Sequence, residues 1–233
     1  MNPRTETFTV AGPAGALQCA IDRPADAAAS GPSGAAGAAG APGPRGTAVL
    51  CHPHPLHGGT MDNKVVITLA RAFVQLGYAA VRFNFRGVGA SAGTWDEGRG
   101  EIDDALAVIA ATRAPGQPLV LGGFSFGGYV ASHAAACLAA SPPHAAADRL
   151  VLIAPAARNF PLADVPAGTL VVHGEHDEVV PLSSVLDWAR PRAQPVTLVP
   201  GAGHFFHGQL TLLKQIVLAA WGVVPDAGAH PNR

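Results

Sequence analysis

The stretch Leu119-Val120-Leu121-Gly122-Gly123-Phe124-Ser125-Phe126-Gly127-Gly128 decides the reading of this chain: an apolar strand at 118–122 ends in Gly-x-Ser-x-Gly and runs straight into a helix. A serine on so sharp a strand-to-helix turn takes a strained backbone angle, and glycines two residues to either side remove the Cβ atoms that would clash. The hydroxyl is thereby pushed out above the sheet. The N–H of Phe126, at the helix start, then faces any oxyanion formed at Ser125. The competing reading is an ordinary glycine-rich helix start with serine as N-cap. A strand on one side and a helix on the other weigh against it.

The same alternation continues in both directions. Short runs rich in Val, Leu, Ile and Thr stand at 5–10, 17–21, 47–51, 79–84, 118–122, 150–154, 169–173 and 195–199, and predict about eight strands. Val65, Val66, Leu69, Ala72, Phe73 and Leu76 fall on one helical face, with Asp62 or Asn63 as N-cap and Gly77 as the stop. Further helices are expected around Ile102–Ile109, from about Gly127 to Ala140, and at Leu210–Ala220. Strand and helix in alternation require right-handed crossovers, hence an α/β fold with a mostly parallel sheet and helices on both faces. Ligands of such sheets sit at the carboxyl ends of the strands.

A serine hydroxyl needs a base, and the base should also lie just beyond a strand. Ten histidines compete. His204, in the glycine loop Pro200-Gly201-Ala202-Gly203-His204, follows strand 195–199 and precedes the last helix, where it can swing over Ser125. Strand 169–173 is followed by Gly174-Glu175-His176-Asp177-Glu178, so the acid is Asp177, Glu175 or Glu178, and strand spacing alone does not choose. The chain order of serine, acid and histidine matches one known triad arrangement.

Composition bounds the rest. A chain of 233 residues, 48% of them hydrophobic, is expected to form a single domain over 1–233 with a sizeable core. Only 13% of residues are charged and the formal net charge is −1, so no basic field gathers nucleic acid. No apolar run reaches the ~18 residues of a membrane span, and the polar start Met1-Asn2-Pro3-Arg4 is no signal peptide, so a cytoplasmic location is expected. Cys19, Cys51 and Cys137 are widely spaced and read as small apolar residues rather than a disulfide framework. Residues 24–46 are almost wholly Ala, Gly, Pro and Ser, a low-complexity surface loop between two early strands.

With these residues in view, the chain resembles an α/β-hydrolase over nearly its whole length. The family pattern H-G-x-x-D-x-x-V-P fits His173, Gly174, Asp177, Val180 and Pro181, and so selects Asp177 over its neighbours. His52-Pro53-His54-Pro55-Leu56-His57-Gly58-Gly59 looks like the H-P-H-P-x-x-G-G stretch of small, lidless bacterial serine hydrolases in that superfamily. The resemblance implies an ester- or thioester-cleaving serine hydrolase with Ser125, Asp177 and His204 as triad, a small-molecule acyl substrate and no cofactor. It sets no oligomeric state. Many relatives have His-Gly after the third strand where this chain has His52-Pro53. Because proline has no N–H, the oxyanion donor carried over falls on His54, with Phe126 as the second.

Two other readings compete. His52, His54 and His57 have the spacing of a zinc hydrolase, although Leu56 stands where a carboxylate ligand is needed. A non-catalytic binding protein on the same fold is the other. Gly87-Val88-Gly89-Ala90-Ser91-Ala92 matches a dinucleotide fingerprint weakly, but glycines continue where its helix should start. Only Pro155–Gly168 separate the sixth and seventh strands, which leaves no room for a cap domain. The expected site is therefore open, lined by Leu56, Phe85, Phe160, Phe205 and Phe126, and suited to modest acyl esters. Replacing residues 27–43 with a short Gly-Ser link should leave activity and melting temperature nearly unchanged, because that composition buries little. A large fall in melting temperature would show that the loop packs on the body.

Overall fold

The computed structural model describes residues 5–25, 43–141 and 146–222. The low-complexity loop at 24–46 therefore lies outside the described residues except at its two ends. The eight strands are β1 (Thr5–Gly12), β2 (Gly15–Asp22), β3 (Thr47–Cys51), β4 (Ala79–Phe83), β5 (Leu119–Phe124), β6 (Arg149–Ile153), β7 (Leu170–Gly174) and β8 (Thr197–Val199). They form one sheet in the order β1-β2-β4-β3-β5-β6-β7-β8. β1 and β2 make an antiparallel hairpin, β2 pairs antiparallel with β4, and every other pairing is parallel. This is the mostly parallel α/β sheet that the strand pattern implies, in the α/β-hydrolase arrangement that the resemblance implies.

The helices are α1 (Lys64–Gln75), α2 (Arg99–Thr112), α3 (Phe126–Ala139), α4 (Leu182–Ala189) and α5 (Leu210–Ala220). The parallel strands are apolar at successive positions because both faces are covered. Ala48, Leu50, Val120, Val151 and Val172 pack with Leu69 and Phe73 of α1 and Leu213 and Val217 of α5. Val49, Val81, Leu121, Leu152 and Val171 face the other way, against Val108 of α2, Val130 of α3 and Val185 of α4. Asn63 caps α1 by accepting the Val65 N–H at 2.9 Å, and Gly77 ends it with φ 87°. The helix α4 has no counterpart in the sequence reading, since two turns just after the Asp177 loop are too short to show a period.

Residues 154–169, between β6 and β7, contain neither helix nor strand, so no cap stands over the sheet there. The glycine run at 87–93 is loop, and α2 begins only at Arg99, so the nucleotide fingerprint lacks its helix. Cys19 and Cys51 are buried, and burial pushes both thiols up, Cys19 to about 12. Cys137 departs from the expectation and is exposed. Among the described residues no helix is long and apolar enough to cross a membrane.

The loop after β4 is held by a buried ion pair. Asp104 of α2, fully buried, accepts the backbone N–H of Arg86 at 2.9 Å and its guanidinium at 3.0 and 2.8 Å. Gly100 lets the guanidinium lie against α2, because a Cβ there would overlap it. Removing one member of such a pair strands the other charge. Arg86→Met should therefore cost about 3–5 kcal/mol in urea unfolding, and Arg86→Met with Asp104→Leu less than the single change. A double variant as unstable as the sum of the two singles would show that the pair is not coupled.

Candidate active site

Ser125 occupies the turn between β5 and α3 with φ 56° and ψ −118°, a region that residues with a Cβ rarely adopt. Its backbone is held on both sides: its N–H donates to the Ile153 carbonyl at 2.9 Å, and its carbonyl accepts Gly128 N–H at 2.9 Å and Ala156 N–H at 3.2 Å. The flanking glycines have distinct jobs. A Cβ on Gly123 would overlap the Gly127 carbonyl, and one on Gly127 would overlap the carbonyls of Cys51 and His52. The second contact presses the loop after β3 against the first turn of α3.

Asp177 lies in the loop after β7 and His204 in the loop after β8. His204 Nδ1 donates to Asp177 Oδ2 at 2.7 Å, while Asp177 Oδ1 accepts the N–H groups of Val179 and Val180 at 2.9 and 2.7 Å. Burial pushes the Asp177 carboxyl up, but the bonds from His204 and Val180 and the nearby histidine charges outweigh it and hold the carboxyl below its usual range. Glu175 instead accepts the Gly201 N–H at 2.8 Å, and no bond or ion pair links Glu178 to a described residue. The two loops fit together because Gly174 has no Cβ to strike the Ala202 carbonyl, which accepts His176 N–H at 2.9 Å. The His204 ring lies 4.9 Å, centroid to centroid, from Phe124, the residue preceding Ser125. Ser125 Oγ is hydrogen-bonded to no described residue; such bonds commonly tighten only with substrate in place.

The side chains of His54 and Phe126 are neighbours. Their rings are 5.2 Å apart, and neither backbone N–H has a partner among the described residues. The three histidines at 52, 54 and 57 do not converge as a metal site would need. His52 is fully buried, with Nδ1 on the Pro53 carbonyl at 2.6 Å and Nε2 accepting the Phe85 N–H at 3.1 Å, and His54 Nδ1 is taken by the Leu56 N–H at 3.2 Å. Among the described residues no three His, Cys, Asp or Glu side chains form a metal-binding group.

The five lining residues fare unequally, and the Phe126 side chain, fully buried, is a correction: it does not reach the open face. Leu56 is 66% exposed and Phe205 42%, both in loops at the carboxyl edge, and Phe160 is half-buried 4.9 Å from Phe126. Phe85 is a correction. It is fully buried on the same face as Phe83, with its ring 4.4 Å from His52 and 5.7 Å from Phe126, so it supports the site from beneath. Trp95 and Tyr129 escaped the sequence reading. The Trp95 ring lies 4.5 Å from His54 and 5.1 Å from Phe126, and Tyr129 stands 5.3 Å from Phe160. A tryptophan inside a glycine-rich loop was the available signal. A cavity of about 600 Å³ lies elsewhere, between the β1–β2 hairpin and α1, lined by Thr7, Asp22, Arg71 and Arg82.

At the level of family the chain is similar to known α/β serine hydrolases. A family model described as serine aminopeptidase, S33, matches residues 44–162. A crystal structure of an α/β serine hydrolase without lid from Xanthomonas campestris is 38% identical, covers 99% of both chains and superposes with a TM-score of 0.77. An α/β serine hydrolase homologue from Coxiella burnetii is 37% identical with a TM-score of 0.74, over 92% of this chain and 96% of that one. An uncharacterised protein of Rickettsia prowazekii is 32% identical over 176 residues, 68% of this chain and 71% of its own.

The buried histidines carry a consequence for stability. Burial lowers His52 from 6.5 to about 4, against a smaller rise from its bond to Pro53, and burial lowers His173 as well. Between those two values the unfolded chain binds a proton at His52 that the folded chain refuses, so stability falls as pH falls from 6.5 to about 4. Urea unfolding at pH 7 and pH 4.5 should show the loss. The difference should shrink by on the order of 2–3 kcal/mol in His52→Asn, which has nothing to titrate there. An unchanged difference would mean that His52 is not kept neutral.

Proposed function

The chain belongs to the serine aminopeptidase, S33, family of α/β hydrolases, and from that premise we propose that it is a serine hydrolase cleaving ester or related acyl bonds through Ser125, His204 and Asp177. The observation that carries this reading is the 2.7 Å bond from His204 to the buried carboxylate of Asp177, on a chain whose Ser125 backbone is strained to φ 56°. His204 Nε2 takes the proton from Ser125 Oγ as that oxygen attacks the acyl carbon. Asp177, held ionised by the bonds from His204 and Val180, keeps the imidazole proton on Nδ1 and stabilises the imidazolium. The N–H groups of His54 and Phe126 receive the oxyanion. The imidazolium then protonates the leaving group, an acyl-enzyme forms on Ser125, and a water activated by His204 releases the acid.

The wall beside the two N–H donors is aromatic: Trp95, Phe160 and His54 itself, backed from beneath by the buried Phe126 ring. With no cap above it, this wall supports a small-molecule substrate with a modest apolar acyl group. The chemistry asks for no metal or cofactor. One domain spanning the chain would supply every group named.

Intact-mass measurement after treatment with a fluorophosphonate should show one adduct, absent in Ser125→Ala; an adduct on that variant, or none on the native protein, would overturn the assignment. Asp177→Asn should cut kcat about 10⁴-fold, as in the serine-protease precedent. His204→Ala should be similarly damaging and the double variant hardly worse than either, because members of one unit are not additive. Losses that multiply in full would show that the two residues act independently. A Glu175→Gln variant without activity beside an active Asp177→Asn would move the acid.

A further inference from the structure

The His54 N–H can serve an oxyanion only if its peptide plane is held, and the structure shows what holds it. The Phe85 N–H donates to His52 Nε2 at 3.1 Å, so that nitrogen carries a lone pair and the single ring proton sits on Nδ1. Nδ1 donates it to the Pro53 carbonyl at 2.6 Å. The Pro53 carbonyl and the His54 N–H belong to one planar peptide, and no described peptide bond is cis, so the two groups point in opposite directions. Pinning the carbonyl toward the buried ring turns the N–H the other way.

The rest of His54 is already committed. Its carbonyl accepts the N–H groups of His57 and Gly59 at 3.1 and 3.0 Å, and its Nδ1 accepts that of Leu56 at 3.2 Å. Pro53 has no N–H to compete. Gly59 packs so closely on the Pro53 carbonyl that a Cβ would overlap it, so only glycine leaves the carbonyl its place. The N–H of His54 has no partner among the described residues.

We infer that His52 is a positioning residue: a buried neutral imidazole that bridges the Phe85 N–H and the Pro53 carbonyl, and so aims the His54 N–H at the oxyanion. This rests on the serine mechanism proposed above. It explains how the loop can do without the glycine that many relatives carry after this histidine, since the proline at 53 removes a competing donor while its carbonyl serves as the handle.

The test compares three variants with p-nitrophenyl butyrate as substrate and phenylboronic acid as a tetrahedral adduct on Ser125. His52→Leu keeps the volume and loses both bonds. Its kcat should fall about 10–100-fold, short of the full loss of an oxyanion donor, with KM little changed, and phenylboronic acid should weaken in proportion. His52→Asn, which can donate from the place of Nδ1, should recover most of kcat, whereas His52→Gln, whose amide reaches toward Phe85, should not. A folded His52→Leu with native kcat, a loss confined to KM, or rescue by Gln and not by Asn would overturn the inference. Should His52→Leu fail to fold, the Asn and Gln variants decide it by the same contrast in kcat at matched melting temperature. A native protein inert to both the ester and the boronate would overturn the serine mechanism with it, whereas an active native protein with an equally active His52→Leu overturns this inference alone.

Discussion

Much of this molecule depends on two backbone segments touching without a side chain between them. Where β5 turns into α3, Gly127 lies against the carbonyls that end β3, and Gly123 lies against the carbonyl of Gly127 itself. A Cβ at either position would separate β3 from α3 and relax the turn that strains Ser125. The strain is local, but its support is not. The Ser125 N–H hangs on β6 and its carbonyl on the turn after β6, so the sheet itself holds the turn in its unusual angle.

From that contact the site assembles by loop packing. The loop after β3 arrives beside the first turn of α3, which brings the ring of His54 within 5.2 Å of that of Phe126. On the far side of Ser125, Gly174 permits the loops after β7 and β8 to close on each other, and this sets Asp177 against His204. Both unions occur at the carboxyl edge of a parallel sheet, where strand ends from distant parts of the sequence lie side by side. Phe124 and Phe126, one residue to either side of the serine, face opposite layers and carry the two halves: His204 rests on Phe124, His54 on Phe126.

The polar groups beneath the site obey a single rule, that a buried polar atom must be paired or uncharged. Asp104 is satisfied by the guanidinium and the backbone N–H of Arg86, which fixes the loop after β4. His52 stays neutral and spends each nitrogen on a backbone group, tying that same loop to the one after β3. The acid loop takes the other solution, with the bonds from His204 and from the Val180 N–H keeping Asp177 charged.

The sequence by itself determined the layered α/β fold, the turn at Ser125 and the identity of the glycines that permit it, because hydrophobic period and glycine position are local properties. All eight strands are legible for that reason, while α4, only two turns long, is not. Family likeness added the choice of Asp177, which strand spacing had left open among three carboxylates. Tertiary structure alone decided which way side chains face. Phe85 reads as a lining residue but follows Phe83 onto the buried face, and His52, whose spacing with His54 and His57 also allowed the competing zinc reading, turns both nitrogens to backbone groups. Trp95 sits far from His54 in the chain and reaches it only through the folding of the loop after β4. The physical reason is common to all three: a side chain's partners come from segments far away in sequence, and neither spacing nor composition records which of them packing will bring within bonding distance.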